Sequence, residues 1–414
     1  DRKIPAGETV QLELTVENRG AEALHRLRAW SESDNGYLDR REFLFGTVKS
    51  GEKKSWSVQV KLPKDLTSRR DGITVHFQDD TGVLNETVVG ELNFVELPRP
   101  SFAFNYQLLD DGQGGNGDSV AQRGEELTLL VDVTNVGTGK ALDTFTSIKN
   151  ESDQNVFIEK GRFKLGELGP GETKTARFNL QVKKGYAKDD FAVRFAVIDE
   201  PLEEFATDKL VIPVASEKST PVALEPHKGT VKLAEKTELL GEADPSGRVV
   251  ARLPKGATVN ELARGSAVAR VEWDKDRFAF VRLADLKEAK GQKAAPPKDV
   301  VFQSLRHPPD IALSIDPAQG GTVADTERFT LSAVVTDPQL LDVYVLVNDQ
   351  KVFFKGHGDE PKMKLTTDFA LKEGNNLVTV VARESQDFAA RKTVVIRRRP
   401  AAVAQKLLGT PAAQ

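Results

Sequence analysis

The chain has 414 residues, 39% hydrophobic and 29% charged, with a formal net charge of −4 and no cysteine. That length suits several domains of ~100–150 residues each. The missing thiols exclude a disulfide framework, a zinc-thiolate centre and a thiol nucleophile, and the charge excludes a global basic field for nucleic acid.

In chain order, Pro5-Ala6-Gly7-Glu8 opens onto an alternating segment, Thr9-Val10-Gln11-Leu12-Glu13-Leu14-Thr15-Val16, which ends at Asn18-Arg19-Gly20. The same arrangement returns as Gln122-Arg123-Gly124-Glu125, a second alternating segment and Asn135-Val136-Gly137, with Gly124, Asn135 and Gly137 each 117 residues beyond Gly7, Asn18 and Gly20. Gly166, Gly171 and Asp199 stand 120 residues beyond Gly46, Gly51 and Asp79, so three residues have entered the second copy. A constant offset of this kind marks a repeated domain. Period-two alternation punctuated by Gly, Asn, Asp and Pro predicts half-buried antiparallel strands in sandwiches. The second copy has a strand at 102–109 ahead of its Gly-Glu turn. The first copy's counterpart would precede Asp1, which, with no initiator Met, predicts a piece of a longer polypeptide.

After a linker, Glu217-Lys218-Ser219-Thr220-Pro221, five short strands are expected at 230–233, 249–253, 258–262, 267–273 and 279–283, enough for a small barrel. A second linker covers 290–298. A last sandwich follows, with strands at 329–335, 342–347 and 377–382. The expected fold class is all-β, tandem immunoglobulin-like β-sandwiches with one small β-barrel, divided 1–98, 99–215, 222–290, 305–399 and a frayed, flexible tail at 400–414. Short helices are expected only at 283–290 and 402–408. Arg397-Arg398-Arg399 reads as a solvated strand end, and Trp56 and Trp273, each in step with alternating apolar residues, as core.

The sharpest chemical signal is Asp110-Asp111-Gly112-Gln113-Gly114-Gly115-Asn116-Gly117-Asp118 followed by Gly124-Glu125. A hard cation such as calcium wants several oxygens on a Gly-rich turn. With position 1 of a twelve-residue calcium loop at Gly114, Asn116, Asp118 and Glu125 fall at positions 3, 5 and 12, Asp110 or Asp111 supplies the ligand that Gly114 lacks, and Ser119 stands where the loop needs Gly. The alternative is an Asn/Asp/Gly turn capping a strand. His25, His76, His227, His307 and His357 show no metal spacing, and neither a nucleophile elbow nor a phosphate-cradling loop is present.

Gly124-Glu125, Asn135-Val136-Gly137 and Pro170-Gly171-Glu172 resemble the pattern of bacterial CARDB-like adhesion-type immunoglobulin folds, with Lys49-Ser50-Gly51-Glu52 at the last position of the first copy. Leu253-Pro254-Lys255-Gly256-Ala257 and Phe280-Val281-Arg282-Leu283-Ala284-Asp285-Leu286 resemble bacterial Src-homology-3-like barrels. Tyr344-Val345-Leu346-Val347-Asn348-Asp349 and Gly374-Asn375-Asn376 resemble a bacterial immunoglobulin-like domain. The order of units is similar to the C-terminal extension of tail-specific (carboxyl-terminal processing) serine proteases of myxobacteria-like bacteria. The resemblance implies a PDZ domain and a serine-lysine catalytic domain upstream. It also implies a periplasmic, envelope or secreted location and an accessory part that holds a protein or peptide substrate, or the protease domain itself, without cutting. The serine-lysine motif has no match in this chain. The competing expectation is a free-standing peptidoglycan- or glycan-binding or adhesion-type envelope protein, its glycan binding carried by 225–290.

Overall fold

The computed structural model describes residues 3–216, 222–234, 237–289, 292–295, 297–356 and 361–399. The linker 217–221, part of the linker 290–298, His357, the helix expected at 402–408 and the tail 400–414 lie outside the described residues. The protein is all-β, built of several antiparallel sheets, one of them curled into a half-barrel. Among the described residues the helical pieces are three single 3-10 turns.

The first repeat comprises β1 (Lys3–Pro5), β2 (Thr9–Glu17), β3 (Leu24–Glu32), β4 (Glu42–Val48), β5 (Lys53–Lys61), β6 (Arg69–Asp79) and β7 (Gly82–Val95). One sheet runs β1-β7-β6-β3-β4, the other is the pair β2-β5. Leu27, Phe43, Phe45, Val75 and Phe77 from the larger sheet pack with Leu12, Leu14 and Val58 of the smaller, a sandwich-like core.

The second repeat comprises β8 (Phe102–Leu109), β9 (Glu126–Asn135), β10 (Ala141–Asn150), β11 (Val156–Lys160), β12 (Arg162–Leu168), β13 (Thr173–Val182), β14 (Asp190–Asp199) and β15 (Glu204–Pro213). Its sheets run β12-β10-β14-β15 and β11-β13-β9-β8. They meet where Phe104 of β8 and Phe178 of β13 approach Phe195 of β14, at ring separations of 4.9 and 6.4 Å. Inward apolar residues on both sheets leave no other way to shed water.

The repeat persists atom by atom. Asn18 Nδ2 donates to Glu22 O and Val48 O, Asn135 Nδ2 to Gly139 O and Leu168 O. Each Asn Oδ1 accepts from the glycine two residues on, and each Asn main-chain O accepts from Gly51 or Gly171 at 2.7 Å. The Asn-x-Gly signal is thus a buried strut that satisfies carbonyls of the bend it crosses. The parallel pairing Ile4↔Phe94 recurs as Ala121↔Val214.

The third segment holds β16 (Glu225–Leu233), β17 (Thr237–Leu240), β18 (Val249–Leu253), β19 (Thr258–Arg264), β20 (Val268–Asp274), β21 (Arg277–Arg282), β22 (Leu286–Glu288) and β23 (Val301–Phe302), in the order β22-β16-β19-β20-β21-β17-β18-β23. Eight strands, not five, make this half-barrel around Val231, Leu239, Val271, Trp273 and Val281. The helix expected at 283–290 is a single 3-10 turn, Leu283–Asp285, running straight into β22, which Leu233 and Val231 of β16 recruit.

The last segment holds β24 (Asp310–Leu313), β25 (Thr322–Ala324), β26 (Arg328–Thr336), β27 (Asp342–Val347), β28 (Gln350–Gly356), β29 (Lys362–Ala370), β30 (Gly374–Arg383) and β31 (Ala389–Arg398). Sheets β24-β26-β29 and β25-β31-β30-β27-β28 enclose Leu331, Val345, Leu365, Phe369, Val380 and Ile396.

The chain condenses into two compact units: residues up to Pro98 together with those from Pro309 onward, and Arg99–Pro308. Within the first unit, Asn375 Nδ2 donates to the fully buried Asp71 at 2.6 Å, and Arg399 pairs with Glu91 at 3.0 and 3.2 Å. Arg397 sits 3.3 Å from Asp34, its side chain 12% exposed. The Arg397-Arg398-Arg399 run is therefore not a solvated strand end: Arg397 and Arg399 are seated against the first repeat, where carboxylates neutralise them, and Arg398 donates to Leu371 O of its own sandwich. Within the second unit, Arg277 of β21 pairs with Asp132 of β9 and Arg248 lies 3.9 Å over the Tyr106 ring of β8.

Candidate functional site

The loop between β8 and β9 carries all five residues singled out for a cation. Gly115 must lack a side chain, since a Cβ would stand 1.5 Å from Asp110 O. That close approach folds the loop around the Asp110 carboxylate. Oδ2 accepts from the main-chain N–H groups of Asn116, Gly117 and Asp118, and Oδ1 from Ser119. Asp110 is thereby an organiser of the loop, with both oxygens taken. Asp111 turns outward instead and pairs with Arg270 of β20.

Asn116, Asp118 and Glu125 are brought together through Gln122. Asn116 Nδ2 donates to Asp118 Oδ2 at 3.1 Å and to Gln122 Oε1 at 3.3 Å. Gln122 Nε2 donates to Asp118, and the Gln122 main-chain N–H to Glu125 Oε2 at 2.7 Å. Sequence reasoning used Gln122 only as part of the repeat; its position three residues before Glu125, the spacing of a side chain that bonds back to the main chain, was the available signal. Ser119, with φ of 62°, takes the left-handed conformation that Gly usually supplies at its place in a calcium loop, and its Oγ is buried without a hydrogen-bond partner.

Asp110, Asp118 and Glu125 are buried, and among the described residues no Lys, Arg or His pairs with any of them. Burial first, and the Asp110 and Asp118 charges second, push the Glu125 carboxyl up to about 7. Burial, with a smaller push from Asp110, also raises Asp118. Among the described residues no three His, Cys, Asp or Glu side chains are grouped as a preformed metal centre.

A carboxyl that binds its proton more tightly folded than unfolded stabilises the fold fully below the unfolded value of 4.5, and that contribution is lost as pH rises through about 7. In chelator, the Arg99–Pro308 unit is expected to melt ~2–4 °C lower at about pH 8 than at about pH 5, the shift that ~1 kcal/mol gives at this size. Glu125→Gln, which keeps an acceptor for Gln122 N–H, should flatten that slope in scanning calorimetry. An unchanged slope would show that Glu125 titrates at an ordinary value.

Other candidates stand apart. Trp273 is core, 5% exposed. Trp56 is not: although it shares a face with Val58 and Val60, it is 42% exposed, because the first repeat's core is open along β2 and β5. His76 stacks on Trp30 at 5.4 Å and bonds Glu32 at 2.8 Å, an exposed pairing on the outer face of β3 and β6.

No family model and no curated relative matches the chain. Among solved structures, the secreted serine protease VesC from Vibrio cholerae is 13% identical, with 52% of this chain and 50% of that one covered at a TM-score of 0.16. A mutant alpha-2-macroglobulin from Salmonella is 11% identical, with 94% and 32% covered at a TM-score of 0.21. The chain thus spans half the length of the first and about a third of the second. At these scores neither likeness bears on function.

Proposed function

We propose that this chain is a non-catalytic array of immunoglobulin-like sandwiches and one small barrel that holds an extended polypeptide, as the accessory part of an exported serine-type processing protease. The observation that carries this reading is the character of the sheet edges. The edge strands β4, β11, β15 and β28 each display large exposed apolar side chains: Leu44, Phe157, Phe205 with Val211, and Phe354. An edge offers a row of unpaired main-chain donors and acceptors as a template for strand addition; β11, β15 and β28 also carry Lys or Pro, which blunt an edge, and β4 carries neither and is the least defended of the four. The runner-up, a glycan binder carried by 225–290, would rest on Trp273, which is packed in the half-barrel core.

Photo-crosslinking of a reduced, unfolded polypeptide to the full chain, followed by mass spectrometry, is expected to place adducts on these four strands. Adducts scattered without regard to strand edges, or none, would remove the reading.

A second proposal rests on the acidic loop. Asp118 and Glu125, buried without a cationic partner, and the idle Ser119 Oγ fit a calcium ion, which would supply the missing positive charge and fix the loop. Asp110 and Asp111 would not ligate, being occupied by main-chain N–H groups and Arg270. Millimolar calcium at about pH 8 should then reverse the loss of melting temperature described above.

A further inference from the structure

We propose that the outer face of the first repeat's larger sheet carries a groove for a neutral, straight, β-linked oligosaccharide, with Trp30 as its stacking platform. The proposal goes beyond the reading of the chain as a polypeptide holder. It also lies outside 225–290, the segment to which the sequence assigns any glycan binding.

Strand alternation sorts β3 into two rows. Leu27, Ala29 and Ser31 are buried and face the core. Arg28, Trp30 and Glu32 face outward. Trp30 lies directly across from His76 of β6 and Glu42 of β4, and Arg28 from Gln78 of β6. Along this outward row runs a groove of about 790 Å3, the size of a small-molecule site. Trp30 stands at its middle, Arg28 and Gln78 toward one end, Asp39 and Arg40 at the other. From Arg28 to Ser33 the strand extends ~17 Å, room for a short chain of sugar rings.

The main chain excludes one class of occupant. Arg28–Glu32 pairs with β6; on the other side Arg28–Trp30 pairs with β4, and Ser31 bonds with Arg40 and Arg41. Both sides of β3 are thus taken, so an added strand has nothing to pair with there, and side chains alone must recognise the occupant. Charge excludes a second class. Arg28 and Arg40 stand against Glu32, Asp39 and Glu42, a near balance that draws neither a phosphate nor a polycation. What remains is an aromatic ring among planar polar groups. His76 covers one face of the indole, at 5.4 Å and 21°, and the other face is turned toward β4. The apolar C–H face of a β-linked pyranose suits such a ring. Its hydroxyls both donate and accept, which carboxylates, a guanidinium and an amide require together.

The groove is held ready. Arg28 donates to Gln78 Oε1 at 2.9 Å, and His76 Nε2 is 2.8 Å from Glu32. Ser33 N–H donates to Asp39 Oδ1 at 3.1 Å, and the buried Asn35 anchors the same loop through Asp71 at 2.7 Å. Arg40 is held at a φ of 53°, a conformation uncommon for a residue with a Cβ. Groups fixed beforehand lose little freedom on binding. The second repeat has none of this: Phe145, Ser147, Ala196 and Ile198 stand for Arg28, Trp30, His76 and Gln78. The three residues by which the copies differ also fall here, between β3 and β4. In the second repeat the longer stretch forms β11 and joins the other sheet through β13, whereas the loop of the first stays at the groove's end.

The probes are cellotetraose and chitotetraose, titrated into the full chain and followed by calorimetry and tryptophan emission. Maltotetraose, which curves, and an oligogalacturonate, which is charged, are the comparisons. Expected is saturable binding of at least one straight probe, with an emission change that Trp30→Phe removes while the heat persists. The tighter of the two shows whether an acetamido group contributes. Trp30→Ala should weaken binding about tenfold and Arg28→Met about threefold, while Trp56→Phe should leave it unchanged. Arg28→Met and Glu42→Gln alter exposed side chains, so they test the groove even where Trp30→Ala loosens the sheet. Four outcomes overturn the site: no saturation by either straight probe, an emission change that survives Trp30→Phe, affinity indifferent to Trp30→Ala and Arg28→Met, or tighter binding of maltotetraose or the oligogalacturonate. Polypeptide crosslinks at the strand edges are read separately, so either proposal can fail while the other stands.

Discussion

Asp132→Ala is expected to destabilise the Arg99–Pro308 unit by about 3–5 kcal/mol, the cost of leaving one member of a buried pair without its partner. Asp132 and Arg277 are 8% and 12% exposed and meet by two bonds, 2.7 and 2.9 Å, linking β9 to β21. Thr175 Oγ1 also donates to Asp132 at 2.6 Å. The Arg277 guanidinium lies 4.8 Å over the Trp273 ring and 5.5 Å over Phe302, so it cannot swing to water without unpacking the half-barrel core. Calorimetry should show a fall of ~10 °C in the transition of this unit. Replacing both partners, Asp132→Leu with Arg277→Met, should recover most of the loss, since apolar groups of similar size need no charge compensation. A fall under ~2 °C for Asp132→Ala would mean that water reaches the pair and that other contacts hold the half-barrel to the second repeat.

The repeat was legible in the sequence because its signals do local work. Asn18 and Asn135, Gly51 and Gly171, and Glu52 and Glu172 each satisfy main-chain groups within their own bends, so the same residues are needed wherever the bend recurs. The half-barrel was read less fully because β17, β22 and β23 are four, three and two residues long, too short for alternation to register. Of the candidate cation residues, sequence could bring Asp110, Asp111, Asn116, Asp118 and Glu125 to one loop. It could not tell which carboxylate would be consumed by main-chain N–H groups, since that depends on the path of the loop.

What joins segments was hidden for another reason: the partners are distant in the chain, as Asn375 and Asp71 are. Yet subtraction of one repeat from the other exposes them. Asp71 and Gly72 stand where the second repeat has Phe191 and Ala192, and Asp132 stands where the first has Thr15. Each substitution breaks the shared strand chemistry on the face where that repeat receives its own neighbour. The C-terminal sandwich comes to the first repeat at Asp71, and the half-barrel to the second at Asp132. Divergence between the copies thus marks the surface on which each receives its neighbour.

Gly321→Ala should separate the C-terminal sandwich from the first repeat. A Cβ on Gly321 would stand 2.0 Å from Arg70 N and 2.2 Å from Arg69 C, with main chain on both sides and no rotamer to relieve it. The Gly321 N–H bond to Asn93 Oδ1, 3.0 Å, the Asn375 bond to Asp71 and the Arg399 pair with Glu91 would part together. Ordinary overpacking costs about 1–3 kcal/mol; the buried Asp71 loses its Asn375 bond but keeps Arg69 and Asn35, so ~3 kcal/mol is expected for this unit, with new protease sensitivity at Arg69 and Arg70. Two further glycines calibrate the result. At Gly72 the obstacle is the far end of Arg397, 2.2 Å from the added carbon, which can retreat, so Gly72→Ala should cost less. Nothing lies within 4 Å of a Cβ on Gly356, and Gly356→Ala should change stability by no more than ~0.5 kcal/mol. That ordering, Gly321 over Gly72 over Gly356, follows only if the two sandwiches touch through their main chains. Equal and small effects at Gly321 and Gly356 would show that they do not.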